Sequence, residues 1–305
     1  MNWINAFEIM CYILTALLLA DLFVHRSWRE IRLFCSAALA GFILELLAVR
    51  VTGIYHYSPL FYISIGFKPY QFPFFGGLMW GGLTVYGLRM AQKLGFEKIM
   101  TAFVTGWLIV SMDLLLDVAA IRLNGGFWVW DGREITLKID HHMFMSVIWV
   151  NFLGYLFETP AIVYLTLRAW DRNEGTVAAK AAQTIGIGLA GVAIVGAASG
   201  ISLFLNSVTD EWFACAAFLI LWTYLTARVV LRVLQTKGLF AMKPAENWPV
   251  AIFWSAMYLY CLAALWKLEI IQTVPIYGML GILLFFGTLA LALSDKKLND
   301  LILKF

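Results

Sequence analysis

Nine apolar runs, each close to the roughly 20 residues a helix needs to cross a hydrocarbon core, follow one another along the chain. They lie at residues 5 to 24, 32 to 51, 72 to 92, 98 to 121, 144 to 167, 181 to 205, 212 to 234, 248 to 267 and 273 to 293. Hydrocarbon offers no water to satisfy a peptide group, so segments of this kind cross only as helices. The expectation is an all-α, polytopic transmembrane bundle of about nine spans, forming a single integral membrane domain over residues 1–305. Composition agrees: 62% of the residues are hydrophobic and 13% charged, with a net charge of +3, against about 25% charged in soluble proteins. So few charges exclude a water-soluble enzyme, a disordered chain and a nucleic-acid partner. Cys11, Cys35, Cys215 and Cys261 all fall inside apolar runs and read as small buried hydrophobes. The first run has no basic residue before it, carries Asp21 near its end, and is followed by no small-residue cleavage pattern. It is therefore expected to be a retained helix and not a signal peptide.

Short cytoplasmic loops collect Lys and Arg, so the basic residues orient the bundle. With the N-terminus outside, 16 of the 22 Lys and Arg fall on inner segments. These include Arg26, Arg29, Arg32, Arg89, Lys93, Lys98, Arg172, Arg232, Lys237, Lys243, Lys296, Lys297 and Lys304. The other six are Arg50, Lys68, Arg122, Arg133, Lys138 and Lys267. The predicted topology is N-terminus outside and C-terminus cytoplasmic, in a multi-pass protein of a cell (plasma) membrane. Two connections exceed what a turn requires, residues 52 to 71 and 122 to 143, and both fall on the outer side. Their aromatic content suggests a lid over a cavity, although an interfacial aromatic belt has the same composition. Residues 36–165 carry the polar positions. Residues 180–305 read mainly as packing helices, where Gly186, Gly188, Gly191, Gly196 and Gly200 let helices approach closely.

Four carboxylates are read as lying at bilayer depth: Glu45, Asp113, Asp117 and Glu158. A charge at bilayer depth costs about 2.5–3.5 kcal/mol on insertion scales, so each asks for a reason. At about 1.5 Å rise per residue, Glu45 and Asp113 both stand roughly 20–23 Å above the cytoplasmic ends of their helices, and Asp117 about 6 Å higher. Asp113 and Asp117, four apart, share one helix face. Asn151, Tyr155 and Glu158 are spaced four and three apart and line a stripe on the fifth run, with Asn151 near the depth of the carboxylates and Glu158 just before a helix-kinking Pro160. His56, His141 and His142 sit on the two long outer connections. A cavity opening outward and floored by acids accounts for this pattern. The plainer alternative pairs each acid with a tyrosine or arginine of a neighbouring helix. Adjacent His141 and His142 point to different faces and lie beside Asp140, an arrangement of solvated residues, so no metal is expected.

Two carboxyl groups brought together in a low dielectric cannot both ionise, and one keeps a proton. A proton donor in a greasy pocket suits protonation of a terminal isoprenoid double bond. The resulting tertiary cation captures water or closes a ring, with a neighbouring carboxylate acting as base. The faces of Trp80, Phe127, Trp128 and Trp130 can stabilise such a cation, and no cofactor is required.

The ordered residues Glu45, Thr52-Gly53, Tyr55, Tyr57, Pro73, Trp80, Asp113, Asp117, Trp128-Val129-Trp130 and Asn151-Phe152-Leu153-Gly154-Tyr155 resemble the carotenoid biosynthesis membrane-protein family that includes carotenoid 1,2-hydratases. The resemblance covers about residues 36 to 165. It departs from the family pattern at Val118, at Ser146-Val147-Ile148 and at Tyr155, which reads as a divergent member. It implies a lyase of the hydratase type acting on a carotenoid or other isoprenoid lipid. By the resemblance, Glu45, Asp113, Asp117, Trp128, Trp130 and Asn151 are pocket residues. Depth and spacing assign catalysis to Glu45, Asp113 and Asp117 and place Asn151 and Tyr155 among the substrate-binding residues, which Trp80, Trp128 and Trp130 join through their cation-facing rings.

Two other classes of function fit parts of the pattern. An intramembrane prenyltransferase or terpene cyclase also uses an Asp-x-x-x-Asp face, but binds magnesium diphosphate through two acidic clusters, and here there is one, on the outer side. A proton-coupled transporter, or a non-enzymatic lipid- or carotenoid-binding protein, would also tolerate buried acids. Transport, however, predicts broken helices in corresponding halves, and the acids all lie in the first 160 residues.

Overall fold

Because each peptide group in a lipid-facing run must bond within its own segment, every one of the nine runs becomes a long helix. The computed structural model describes residues 2–53, 55–130, 134–172, 175–235 and 244–294, without the side chains of Thr52, Arg172, Pro244 and Ala245. Arg133, Lys237, Lys243, Lys296, Lys297 and Lys304, used above for orientation, lie outside the described residues. The helices are α1 (Trp3–Val24), α2 (Trp28–Thr52), α3 (Phe74–Lys93), α4 (Lys98–Ala120), α5 (Trp149–Arg172), α6 (Val177–Val208), α7 (Trp212–Gln235), α8 (Pro244–Lys267), the single turn α9 (Ile270–Thr273) and α10 (Pro275–Leu293). Eight are long and apolar enough to cross a membrane, and α3 is the long helix that is not among them. Its glycines, Thr84, Tyr86 and Arg89 dilute its hydropathy, and most of it is buried inside the bundle.

Side-chain contacts sort the helix ends into two sets, as an alternating bundle requires. At one end, Arg89 of α3 donates to Asp21 of α1 at 2.6 Å and to both oxygens of Glu30 of α2 at 2.8 Å. Lys93, 5% exposed, donates to the carbonyls of Ala292 (2.7 Å) and Ser294 (2.9 Å) at the end of α10, and to Asn247 of α8 at 3.1 Å. The last carbonyls of a helix lack intrahelical donors, so a buried ammonium there meets the negative pole of the helix dipole. Arg232 of α7 donates to the carbonyls of Leu94 and Gly95, and Lys98 of α4 pairs with Asp171 of α5. This basic end is the one the charge rule assigns to the cytosol.

At the opposite end the two long connections are held together. Strand β1 (Tyr55–Tyr57) is followed by β2 (Ser64–Ile65) and β3 (Phe72–Pro73), which pair with each other. Strand β4 (Trp128–Trp130) pairs antiparallel with β1, with Tyr55 opposite Trp130 and Tyr57 opposite Trp128. Strands β5 (Met143–Phe144) and β6 (Val147–Ile148) make a tight hairpin. That hairpin corrects the expected helix start at residue 144: Met145 and Ser146 turn through positive φ of 47° and 69°, which suits a two-residue hairpin turn and not a helix. Ser146 Oγ fixes the turn by accepting from Thr136 N–H at 2.7 Å, and α5 begins only at Trp149.

Two packing expectations need correction. Cys35 is exposed on α2, whereas the other three cysteines are buried. On α6 only Gly188 and Gly191 meet neighbours, near Ser36 O and Ile162, while Gly186, Gly196 and Gly200 face open space. The close approach lies instead between α2 and α3, where a Cβ at Gly77 or Gly81 would stand 2.5 Å from Phe42 or 2.7 Å from Phe34.

Candidate active site

Asp113 and Asp117 stand on the buried face of α4, 2% and 1% exposed, because four residues bring side chains round to the same side of a helix. Their carboxyl groups are in hydrogen-bonding contact with each other. Asn151, on the first turn of α5, donates its amide N–H to Asp117 Oδ2 at 2.5 Å. One turn on, Tyr155 faces Asp113 within hydrogen-bonding reach. Asp113 Oδ2 and Asp117 Oδ1 are buried without a donor among the described residues. A single proton held between the two carboxyls would serve both oxygens. Otherwise two buried acceptors go unsatisfied, at about 1–3 kcal/mol each.

Glu45, on the outer half of α2, faces the same space. Two phenols converge on one of its oxygens, Tyr57 donating at 2.7 Å and Tyr55 at 3.0 Å, and Trp80 adds a third contact. Burial, and then the Glu45 charge, push both phenols far above their ordinary range, so both remain O–H donors. A carboxyl collecting donors in this way behaves as an acceptor. Tyr55 and Tyr57 are two apart on β1 and so project from the same face of the strand, which lets both reach Glu45, and their rings meet edge to face at 5.7 Å.

These groups line one cavity of about 120 Å³, and all eight residues assigned from the sequence border it: Glu45, Trp80, Asp113, Asp117, Trp128, Trp130, Asn151 and Tyr155. Its remaining walls are apolar, among them Phe7, Phe61, Phe72, Phe75, Phe127 and Met257. The β1–β4 pair forms one wall, tied to α4 through Phe127 N–H to Ala120 O and through Ser58 N–H to Phe127 O, each 2.8 Å. Trp130 lines the cavity, and its buried indole N–H lacks a partner among the described residues. Since a water needs about 10–15 Å³ on this measure, the space admits the end of an apolar chain with a small polar molecule beside it.

Trp80 stacks on Tyr155 with centroids 4.9 Å apart and planes 29° apart. Its seat is Gly41 of α2, where a Cβ would lie 2.4 Å from Trp80 Cδ1. Gly41→Ala is expected to push the indole off its seat and to lower stability by about 1–3 kcal/mol, the range for overpacking a filled site. Thermal unfolding of the detergent-solubilised protein measures this.

Three placements differ from the sequence reading. Glu158, 6% exposed, does not line the cavity, and its Oε1 has no partner among the described residues. His141 and His142 do not diverge: their rings lie 3.8 Å apart between centroids, because the Asp140 side chain turns the backbone there by accepting from His142 and Met143 N–H. His56 sits on β1 opposite Val129 and does not line the cavity. One acid escaped the sequence reading altogether. Glu8 of α1, fully buried, accepts from the backbone N–H groups of Tyr62 (2.7 Å) and Ile63 (2.9 Å), and so fastens the connection that carries Phe61 to the cavity wall. Its place two turns into an apolar run was the available signal.

No protein-family model, curated protein or solved structure matches this chain.

Proposed function

We propose that this membrane-helical protein is an enzyme that hydrates the terminal double bond of an isoprenoid chain, with a carotenoid as the substrate class suggested by the sequence resemblance. What carries the reading is the paired Asp113 and Asp117 carboxyls, each with a buried oxygen lacking a donor among the described residues, inside a cavity lined mostly by aromatic and aliphatic side chains. In an apolar wall an unneeded acid pair is costly, and a shared proton there is a donor placed against hydrocarbon.

The chemistry follows from the geometry. The proton leaves the Asp113–Asp117 pair for the outer alkene carbon, the π electrons forming the new C–H bond and leaving a tertiary cation. The rings of Trp80, Trp128 and Trp130 offer their faces to that cation. Water attacks through its oxygen lone pair, and Glu45 takes the proton released. Return of that proton to the aspartate pair completes a cycle whose net change is one added water. Asn151 and Tyr155 hold the two aspartates in place, while Tyr55 and Tyr57 orient Glu45. The reaction needs no cofactor, and the surrounding membrane lipid delivers the apolar partner. Ring closure by the same cation is the competing outcome wherever water is kept out.

Co-expression in a lycopene-producing bacterium tests the proposal: mass spectrometry of the pigments is expected to show a species heavier by one water. Pigments unchanged in mass and retention would overturn the carotenoid assignment, and a cyclised isomer of unchanged mass would replace hydration with cyclisation.

A further inference from the structure

On the face opposite the basic end, the segment carrying His141 and His142 meets the turn between α6 and α7. His141 Nε2 lies 3.7 Å from Asp210 Oδ2, and His142 Nδ1 lies 3.3 Å from Glu211 Oε2. One nitrogen from each histidine and one oxygen of Asp210 all fall within 4.8 Å of one another. His141 Nε2 is buried with no hydrogen-bond partner among the described residues. The His141 ring is held by stacking on Trp212, 4.4 Å away and 3° from parallel. Asp210 and Glu211 both adopt positive φ, 50° and 63°, a conformation that costs a non-glycine residue about 1–3 kcal/mol. The turn closes the end of α6 through Glu211 N–H to Asn206 O at 2.9 Å, and the same turn sets both carboxylates beside the two imidazoles.

The geometry points to a divalent metal site of the zinc type, built from His141, His142 and Asp210, with Glu211 as the fourth donor or as the residue orienting His142. Ligands bound at about 2.0–2.2 Å in a tetrahedron stand roughly 3.2–3.6 Å apart, so the spacings need only small side-chain adjustments. Two imidazoles with carboxylates select zinc and its neighbours over magnesium or calcium, which take all-oxygen sets. Two imidazole rings this close repel each other when both are protonated, whereas metal binding uses their neutral form. The ion would staple the connection between α4 and α5 to the α6–α7 turn. Trp149, at the head of α5, donates its indole N–H to Asp140 O at 2.7 Å, so the staple reaches the helix that carries Asn151. The site is separate from the carboxylate cavity and does not depend on its function.

The test uses the tag-free full chain in detergent, stripped with chelator and titrated with zinc chloride, with bound metal measured by mass spectrometry and thermal unfolding followed in parallel. The expected result is one zinc per chain and a raised melting temperature. His141→Ala and Asp210→Asn are each expected to weaken binding at least about tenfold, as loss of a site group does, and to abolish the thermal shift, while His25→Ala at the basic end binds as the parent does. Cobalt chloride in place of zinc is expected to give the visible absorption of a tetrahedral site. Failure of the intact chain to bind zinc would overturn the proposal and leave histidine–carboxylate ion pairs. Equal binding by the intact chain, His141→Ala and Asp210→Asn would overturn it as well.

Discussion

Asp113→Asn is expected to reduce the water-added product by at least about a hundredfold, the lower end of what a positioned general acid contributes, without changing the amount of protein in the membrane. The amide fills the same volume and can donate to the Asp117 carboxyl that the Asp113 carboxyl contacts, so packing is preserved and the acid proton alone is lost. Asp117→Asn is expected to behave alike, because the proton belongs to the pair, and the double variant to be no worse than either single one, as for residues acting as a unit. Pigment analysis of the co-expressing strain, normalised to protein measured by immunoblot, checks all three. If Asp113→Asn retains parental product while the parent is active, the pair is structural and the proton comes from elsewhere. Glu45→Gln addresses the other half of the cycle. It keeps an oxygen for Tyr55 and Tyr57 but removes the base for water, so the cation is expected to give a proton back to the aspartate pair and leave as alkene or cyclised isomer in place of alcohol.

The bundle was legible in the sequence because the bilayer leaves little choice: an apolar run long enough to cross must be helical, and all nine runs are. The floor of the cavity was legible for a related reason. Helical rise and repeat convert sequence spacing into depth and face, which is how Asp113, Asp117, Glu45 and Asn151 could be placed together before any coordinates. Where the backbone leaves the helix, that conversion fails. The pairing of β1 with β4, which brings Tyr55 and Tyr57 against Trp130 and Trp128, joins segments about 70 residues apart and has no periodic signature. The partners of Glu8 were not legible because they are the backbone N–H groups of Tyr62 and Ile63, which carry no residue identity. The facing of the His141 and His142 rings was not legible because it comes from a local turn at Asp140, and their carboxylate neighbours arrive from a turn nearly 70 positions later. The glycines of α6 look like those of a packing helix, but several of them face outward, and composition does not distinguish a glycine beneath a neighbour from one beneath lipid.

Arg89→Met is expected to cost about 2–4 kcal/mol, in the lower part of the range for removing one partner of a buried ion pair, since 22% of the Arg89 side chain is exposed. The guanidinium is the common partner of Asp21 and Glu30, donating to the first at 2.6 Å and forking across both oxygens of the second at 2.8 Å, while Tyr86 O–H adds a 3.1 Å bond to Asp21. Methionine matches the stem of the arginine, so the loss is electrostatic: two carboxylates from different helices are left without the guanidinium that joins them. The thermal midpoint in detergent is expected to fall, and yield from the membrane with it. Adding Asp21→Asn and Glu30→Gln to Arg89→Met is expected to recover most of the loss, because replacing a whole ion network is far less costly than orphaning part of it. A triple variant no more stable than the single one would mean that Arg89 acts by packing its stem against Tyr86, over whose ring it lies at 5.2 Å. Because this network joins α1, α2 and α3 at the basic end, it fixes the base of the helices that carry Glu45 and Trp80. Arg89→Met is therefore expected to loosen the cavity from about 14 Å below Trp80 along α3, seen as a fall in product that the triple variant reverses.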